Sequence, residues 1–250
     1  MCTFAHFNYQ NMPNPYFQFK QFTVWHDKCA MKVGTDAVLL GTWSSCNNAK
    51  QILDVGCGSG VISLILAQRS DAQIIAIDID SGAVQQTIDN AAKSPFKNRI
   101  SAKQCKLQDY AEMNENICTF DLIVSNPPYF ISSLKCPDKQ RNTARHTDTL
   151  SVYDLLNGSR RLLSDNGLLS VILPYEQREL LMETAEKTFL HLTRETKVFP
   201  TLDSAPKRIM AEFSLNKPDE IISDSLTIEI ERHVYTEEYK NLTKDFYLKM

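Results

Sequence analysis

Between Gln51 and Asp78 the chain reads strand, glycine turn, helix, strand, and few folds accept that order. Gln51-Ile-Leu-Asp-Val55 is a short apolar run, and Gly56-Cys-Gly58-Ser-Gly60 turns the chain. Val61 to Gln68 has the apolar content of a buried helix, and Gln73-Ile-Ile-Ala-Ile-Asp78 is a second apolar run ending in an acid. Two apolar strands joined through a helix predict a parallel pair covered on both faces. The alternation continues. Ser81 to Ala92 has helical spacing through Ala83, Val84, Ile88 and Ala91, while Ile100 to Lys106 and Phe120 to Ser125 read as strands. Leu150 to Leu163 reads as a helix stopped near Gly167, Leu168 to Leu173 as a strand, and Tyr175 to Thr188 as a charged amphipathic helix. Lys197-Val-Phe199 and Arg208 to Leu215 are two closing strands. The expected class is α/β, a mostly parallel sheet with helices on both faces.

The sequence is organised as one domain over 1–250. Residues 1–45 are an aromatic-rich N-terminal extension, 46–216 the sheet core and 217–250 a C-terminal extension. In the last part Leu226 to Ile230 alternates like an edge strand and Glu237 to Phe246 suits a terminal helix. Hydrophobic residues at 43% and charged residues at 23% suit a globular chain and exclude overall disorder. No apolar run approaches the ~18 residues of a membrane helix, and the first residues lack the basic and apolar regions of a secretory signal. The seven cysteines form no CxxC pair, which predicts reduced thiols in the cytoplasm and no metal site. Neither do His26, His146, His191 and His233 show metal-like spacing.

A glycine turn between a strand and its helix lets a nucleotide-type ligand approach the backbone. The dinucleotide fingerprint is GxGxxG; here the spacing is GxGxG, through Gly56, Gly58 and Gly60, and an acid precedes it. Asp54 would repel a pyrophosphate and attract the α-ammonium of S-adenosylmethionine, so that ligand is expected over NAD. Asp78 ends the second strand and is placed to accept from both ribose hydroxyls. Asp109, past the third strand, is placed to accept from the adenine amino group, with Ile79 and Tyr110 as walls. Cys57, inside the turn, lacks a basic neighbour and reads as a packing residue.

Asn126-Pro127-Pro128-Tyr129 follows the strand expected beside the glycine turn. Two prolines stop ladder pairing and stiffen an extended turn, which can hold one side-chain amide and one carbonyl in fixed relation. An amide or aromatic NH2 is a poor nucleophile because its lone pair is delocalised. Two acceptors on its two hydrogens, Asn126 Oδ1 and the Pro127 carbonyl, favour a pyramidal nitrogen that can attack a sulfonium methyl. Asn126 thus serves the amine and borders the cofactor, and Tyr129 offers a flat face for a flipped base.

The glycine turn, Asp78 and Asn-Pro-Pro-Tyr together resemble the amino-methylating class I methyltransferases. That resemblance implies a Rossmann-like, seven-stranded sheet whose last strand, Arg208 to Leu215, runs antiparallel in a hairpin with Lys197 to Phe199. Met31-Lys32-Val-Gly34-Thr35-Asp36-Ala-Val-Leu-Leu-Gly41-Thr-Trp43 looks like the entry segment of bacterial tRNA1(Val) adenine-37 N6-methyltransferases. So do Tyr235-Thr-Glu-Glu-Tyr239-x-x-Leu242-x-x-x-Phe246-Tyr247-Leu-Lys-Met and Arg145-His146 with Leu150. The family reading implies an adenosine in tRNA as substrate, and Thr35 and Asp36 closing over the cofactor; as plain residues these two suit helix caps equally. The alternatives are a glutamine N5-methyltransferase acting on release factors, which uses the same tetrapeptide, and a DNA adenine N6-methyltransferase. Outside that class stand a non-catalytic nucleic-acid binder and an NAD-type oxidoreductase.

Net charge is −3, and residues 217–250, with 5 basic and 8 acidic residues, account for it; 1–216 hold 22 of each. Any grip on RNA must therefore be local. Lys135, Lys139, Arg141 and Arg145 follow the tetrapeptide and are placed to meet tRNA phosphates at the pocket mouth. Lys93, Lys97, Arg99, Lys103 and Lys106 lie in a stretch without an acid. Phe17, Phe19, Phe22 and Trp25 suit either RNA stacking or the packing of a short hairpin.

Overall fold

The computed structural model describes residues 14–29, 31–113, 118–127 and 150–249. A two-stranded hairpin, β1 (Tyr16–Gln18) and β2 (Thr23–Trp25), precedes helix α1 (Thr35–Trp43). There follow β3 (Gln51–Val55), α2 (Val61–Arg69), β4 (Gln73–Asp78), α3 (Ser81–Ala92), β5 (Ile100–Gln104), α4 (Leu107–Glu112) and β6 (Phe120–Ser125). Then come α5 (Val152–Leu162), β7 (Leu163–Pro174), α6 (Arg178–Lys187), β8 (His191–Thr201) and β9 (Arg208–Ser214). The described chain closes with β10 (Ile222–Glu231), β11 (Val234–Tyr235) and α7 (Glu237–Thr243).

Among the described residues nine strands form one sheet in the order β11-β10-β8-β9-β7-β6-β3-β4-β5. The seven strands from β5 to β8 are the expected ones, with β9 antiparallel to both neighbours. The C-terminal extension adds two more: β10 pairs parallel to β8 and β11 antiparallel to β10. The expected edge strand is thus longer than Leu226 to Ile230, and β11 shields part of it.

Alternate residues of the central strands feed two apolar layers, as a sheet covered on both faces requires. Ile52, Ile74, Leu122, Val124, Ile172 and Met210 join the layer with α1, α2 and the hairpin. Leu53, Ile77, Ile123, Val171 and Ala211 join the opposite layer with α4, α5 and α6. Phe19 and Phe22 are buried in the first layer, and Phe19 bridges to Tyr247. Packing therefore claims these two aromatics.

Two local expectations change. Gly167 does not stop a helix: α5 ends at Leu162 and the glycine lies inside β7, where an added Cβ would stand 2.5 Å from the Phe120 carbonyl oxygen. Only a residue without Cβ allows that approach, at the register shift between β6 and β7. At α1 the cap position falls on Gly34, with no side-chain cap, so neither Thr35 nor Asp36 caps the helix.

Candidate active site

Strands β3, β4, β5 and β6 end level, because Val55 pairs with both Ile77 and Ser125 and Asp78 pairs with Gln104. From β3 the chain proceeds toward β4 and from β6 toward β7, so it diverges between β3 and β6. Such a divergence leaves a crevice at the carboxyl ends.

The glycine turn forms one wall. Gly56, Gly58 and Gly60 have φ of 75°, 53° and 77°, a region that side chains other than glycine rarely adopt. Gly56 N–H and Cys57 N–H donate to the Ile77 carbonyl at 2.8 and 3.1 Å. Thr87 Oγ1 donates to the Gly58 carbonyl at 3.1 Å, and Asn90 Nδ2 to the Ser59 carbonyl at 2.8 Å. A Cβ on Gly60 would meet Thr87 at 2.9 Å, whereas one on Gly56 or Gly58 would meet nothing within 4 Å. The turn is thus shut against α3 and open at two glycines.

The acids divide into two kinds. Asp78 sits half-buried at the rim, accepting from Gly58 N–H at 3.0 Å and from Asp80 N–H at 2.9 Å, one on each oxygen. Beside it Ile79 is 52% exposed, an apolar surface on the crevice side of the strand end, and Asp109 is exposed on the first turn of α4. Asp54, by contrast, has no exposed surface. Its Oδ2 accepts from Ser63 N–H at 3.1 Å and from Ser63 Oγ at 2.6 Å, tying β3 to the first turn of α2. Its Oδ1 has no partner among the described residues. Burial pushes this carboxyl up to about 6, against the pull of the Ser63 bonds. Asp54 thus lies beneath the turn rather than on its surface and holds it through Ser63. The expectation for Tyr110 is corrected. It is 3% exposed and packs against Phe120, with centroids 6.2 Å apart, so it is a core residue and not a wall.

Across the crevice, Ser125 Oγ donates to the Val55 carbonyl at 2.9 Å. That bond and the strand register set Asn126 beside Gly56, each the first residue past its strand. Asn126 is half-buried and Pro127 buried. Pro128, Tyr129, Lys135, Lys139, Arg141 and Arg145 lie outside the described residues. Thr35 is exposed at the start of α1, and Asp36 forms an ion pair with Arg208 Nε at 2.9 Å. Since Arg208 faces Pro174 at the carboxyl end of β7, the pair stands on the same rim.

Sequence reasoning missed Ser63, Thr87, Asn90, Ser125 and Arg208. Thr87 and Asn90 were the most findable, as polar residues three apart on a helix face otherwise carrying Ala83, Val84 and Ala91. Burial raises the Cys57 thiol pKa, in line with a packing role. Among the described residues no group of three or more His, Cys, Asp or Glu could hold a metal ion. An open glycine backbone flanked by rim carboxylates that can accept from hydroxyls suits an adenosyl ligand, and S-adenosylmethionine fits these residues.

A family model described as a methyltransferase domain matches residues 47–239. A Parabacteroides distasonis protein named tRNA1(Val) (adenine(37)-N6)-methyltransferase is 58% identical, over 96% of this chain and 100% of its own length. A protein of the same name from Phocaeicola vulgatus is 52% identical over the same shares. Among solved structures, a predicted O-methyltransferase from Agrobacterium tumefaciens superposes with a TM-score of 0.64 at 17% identity, covering 84% of this chain and 96% of that one. That likeness shows the Rossmann-like fold. Among the described residues no helix is long and apolar enough to cross a membrane.

Proposed function

The chain belongs to the family of tRNA1(Val) (adenine(37)-N6)-methyltransferases, and from that premise we propose that it methylates the exocyclic N6 amine of adenosine 37 in a valine tRNA. One observation supports the reading most: the Val55–Ser125 pairing sets Asn126 against the open end of the glycine turn. When bound, S-adenosylmethionine supplies an electrophilic methyl group. Gly56 and Gly58 admit it to the backbone, and Asp78 accepts from its ribose hydroxyls while holding Gly58 N–H. Ile79 gives the adenine an apolar face and Asp109 accepts from its amino group. Asn126 Oδ1 and the Pro127 carbonyl take the two hydrogens of the target amine and aim its lone pair at the methyl, by positioning and preorganised dipoles. Pro128 keeps that turn stiff and Tyr129 stacks on the flipped base. Thr35 and Asp36 close the rim from α1. Residues 1–250 act as one unit, in the cytoplasm where tRNA is.

A release-factor glutamine or a DNA adenine could use the same two acceptors. Relatives that match 96% of this chain and carry the tRNA name favour the adenosine in RNA. The test is tritiated-methyl transfer offered in parallel to total tRNA, rRNA, DNA and release factor. Label in tRNA, mapped to the base 3′ of a valine anticodon, is the expected result; label in protein alone sinks the proposal.

A further inference from the structure

The acid-free stretch from Lys93 to Lys106 and the aromatic hairpin are far apart in sequence, and the fold brings them together. Asn90 lies inside this junction: its Oδ1 accepts from Trp25 N–H at 3.0 Å, and its Nδ2 donates to the Trp25 carbonyl and to the Ser59 carbonyl, both at 2.8 Å. The hairpin register puts Tyr16 opposite Trp25, with ring centroids 5.0 Å apart, on the face turned away from buried Val24. Tyr16 is 37% exposed, and Lys93 Nζ stands 5.2 Å from the centre of the Trp25 ring.

The five cations of the stretch are not equivalent. Arg99 is tied inward, donating to the Ser70 and Ala67 carbonyls at 2.5 Å each, and it belongs to the scaffold. Lys93, Lys97, Lys103 and Lys106 are exposed. They follow β5, an outer strand of the sheet, from the end of α3 at its foot to the start of α4 at its carboxyl end. That carboxyl end is the rim on which Asp78 stands, opposite Gln104. The lysines therefore flank the β5 edge from both faces, Lys93 beside Trp25 on the hairpin side and Lys103 on the other, its Nζ 5.9 Å from the centre of the Tyr110 ring.

We propose that this edge is a second RNA contact: Lys93, Lys97 and Lys103 follow phosphates of the tRNA, and Trp25 with Tyr16 stacks on a base at its foot. The inference rests on the tRNA reading above. Phosphates are the partner that suits four cations in a stretch of sequence without an acid, on a chain whose net charge is −3, and stacked bases are what an aromatic pair beside such a stretch takes. Asn90 joins Trp25 to Ser59 of the glycine turn, so a contact here bears mechanically on the cofactor site.

The test compares the full chain with Lys93→Gln/Lys97→Gln/Lys103→Gln and, separately, with Trp25→Ala and Trp25→Phe. Binding to total tRNA is measured across salt concentrations. Each phosphate contact contributes about 0.7–0.9 to the log–log slope, so the triple variant flattens it by about two units. Trp25→Ala weakens tRNA binding by about tenfold and Trp25→Phe restores most of it, since the phenyl ring still stacks. S-adenosylmethionine affinity by calorimetry and the melting temperature stay at wild-type values in the triple variant. A wild-type slope in that variant, with tRNA still methylated, overturns the contact and leaves the lysines as guards of an exposed sheet edge. A wild-type chain that neither binds nor methylates tRNA overturns the tRNA reading itself, a distinguishable failure.

Discussion

The two halves of the sheet are held by different means. Around β3, β4 and β6 the crevice is fixed by backbone: positive-φ glycines, amides of the turn on the Ile77 carbonyl, and level strand ends. Around β7 to β10 it is buried charge that fixes the geometry. Glu212 accepts from Ser45 N–H, Ser45 Oγ, Ser170 Oγ and Arg194 Nε at 2.7–3.1 Å, and Arg194 lies 3.8 Å over the Trp43 ring. Thr196 takes the Trp43 indole N–H at 2.9 Å and bonds onward to Asp224. On the opposite face Arg178 forks onto Glu195 at 2.9 and 3.0 Å. α1 joins the halves. Asp36 meets Arg208 at one end and Ser45 meets Glu212 at the other, and nine helical rises and four strand rises both span about 13 Å. A backbone-built site loses little stability when one of its side chains is removed, since its scaffold is elsewhere, whereas a charge-built scaffold fails as a unit.

The sharpest break between the halves is Glu212→Ala. It leaves the Arg194 guanidinium without its carboxylate, and a buried pair cut on one side costs about 3–5 kcal/mol. A large fall in melting temperature is expected, with turnover near wild type where the variant is still folded. Next is Asn126→Ala, the reverse case: turnover falls about 10²–10³-fold while melting temperature and cofactor affinity hold. Turnover within a few-fold of wild type removes the amide from the mechanism.

Asp78→Ala tests whether the rim carboxylate acts for the ligand or only for the turn. Loss of charged hydrogen bonds weakens S-adenosylmethionine binding by about 1.5–3 kcal/mol each at most. Unchanged calorimetric affinity in a folded variant rejects the assignment. Asp54 supplies a pH signature. Its folded carboxyl is raised to about 6, so the folded state holds the proton more tightly than the unfolded chain does. Its stabilising contribution is complete below about pH 4 and is lost as pH rises to about 6, on the order of 1–3 kcal/mol. Melting of the ligand-free wild type relative to Asp54→Asn should therefore decline across that window; a flat difference contradicts it. The smallest effect is on tRNA alone: Arg141→Ala/Arg145→Ala flattens the salt slope by about one to two units with cofactor affinity unchanged. If only the β5-edge variant changes the slope, the pocket-mouth arginines are not phosphate contacts.

The strands at Gln51–Val55, Gln73–Asp78 and Phe120–Ser125 and the helix at Ser81–Ala92 were legible because period and apolar content are local properties. So were the three glycines, whose residue type itself reports a backbone need. Helix α4 was not, since six residues are too short for a periodic signal. By itself, then, the sequence determined the parallel α/β class, the glycine turn, the acid at the end of β4 and the amide after β6. Each depends on neighbours within a few residues. Only the tertiary structure decided that Asp54 lies under the turn on Ser63, that Tyr110 is core, that β10 and β11 widen the sheet, and that Trp25 meets Lys93. Burial and pairing join residues distant in the chain, and a side chain's type does not say which of its possible partners the fold will bring to it.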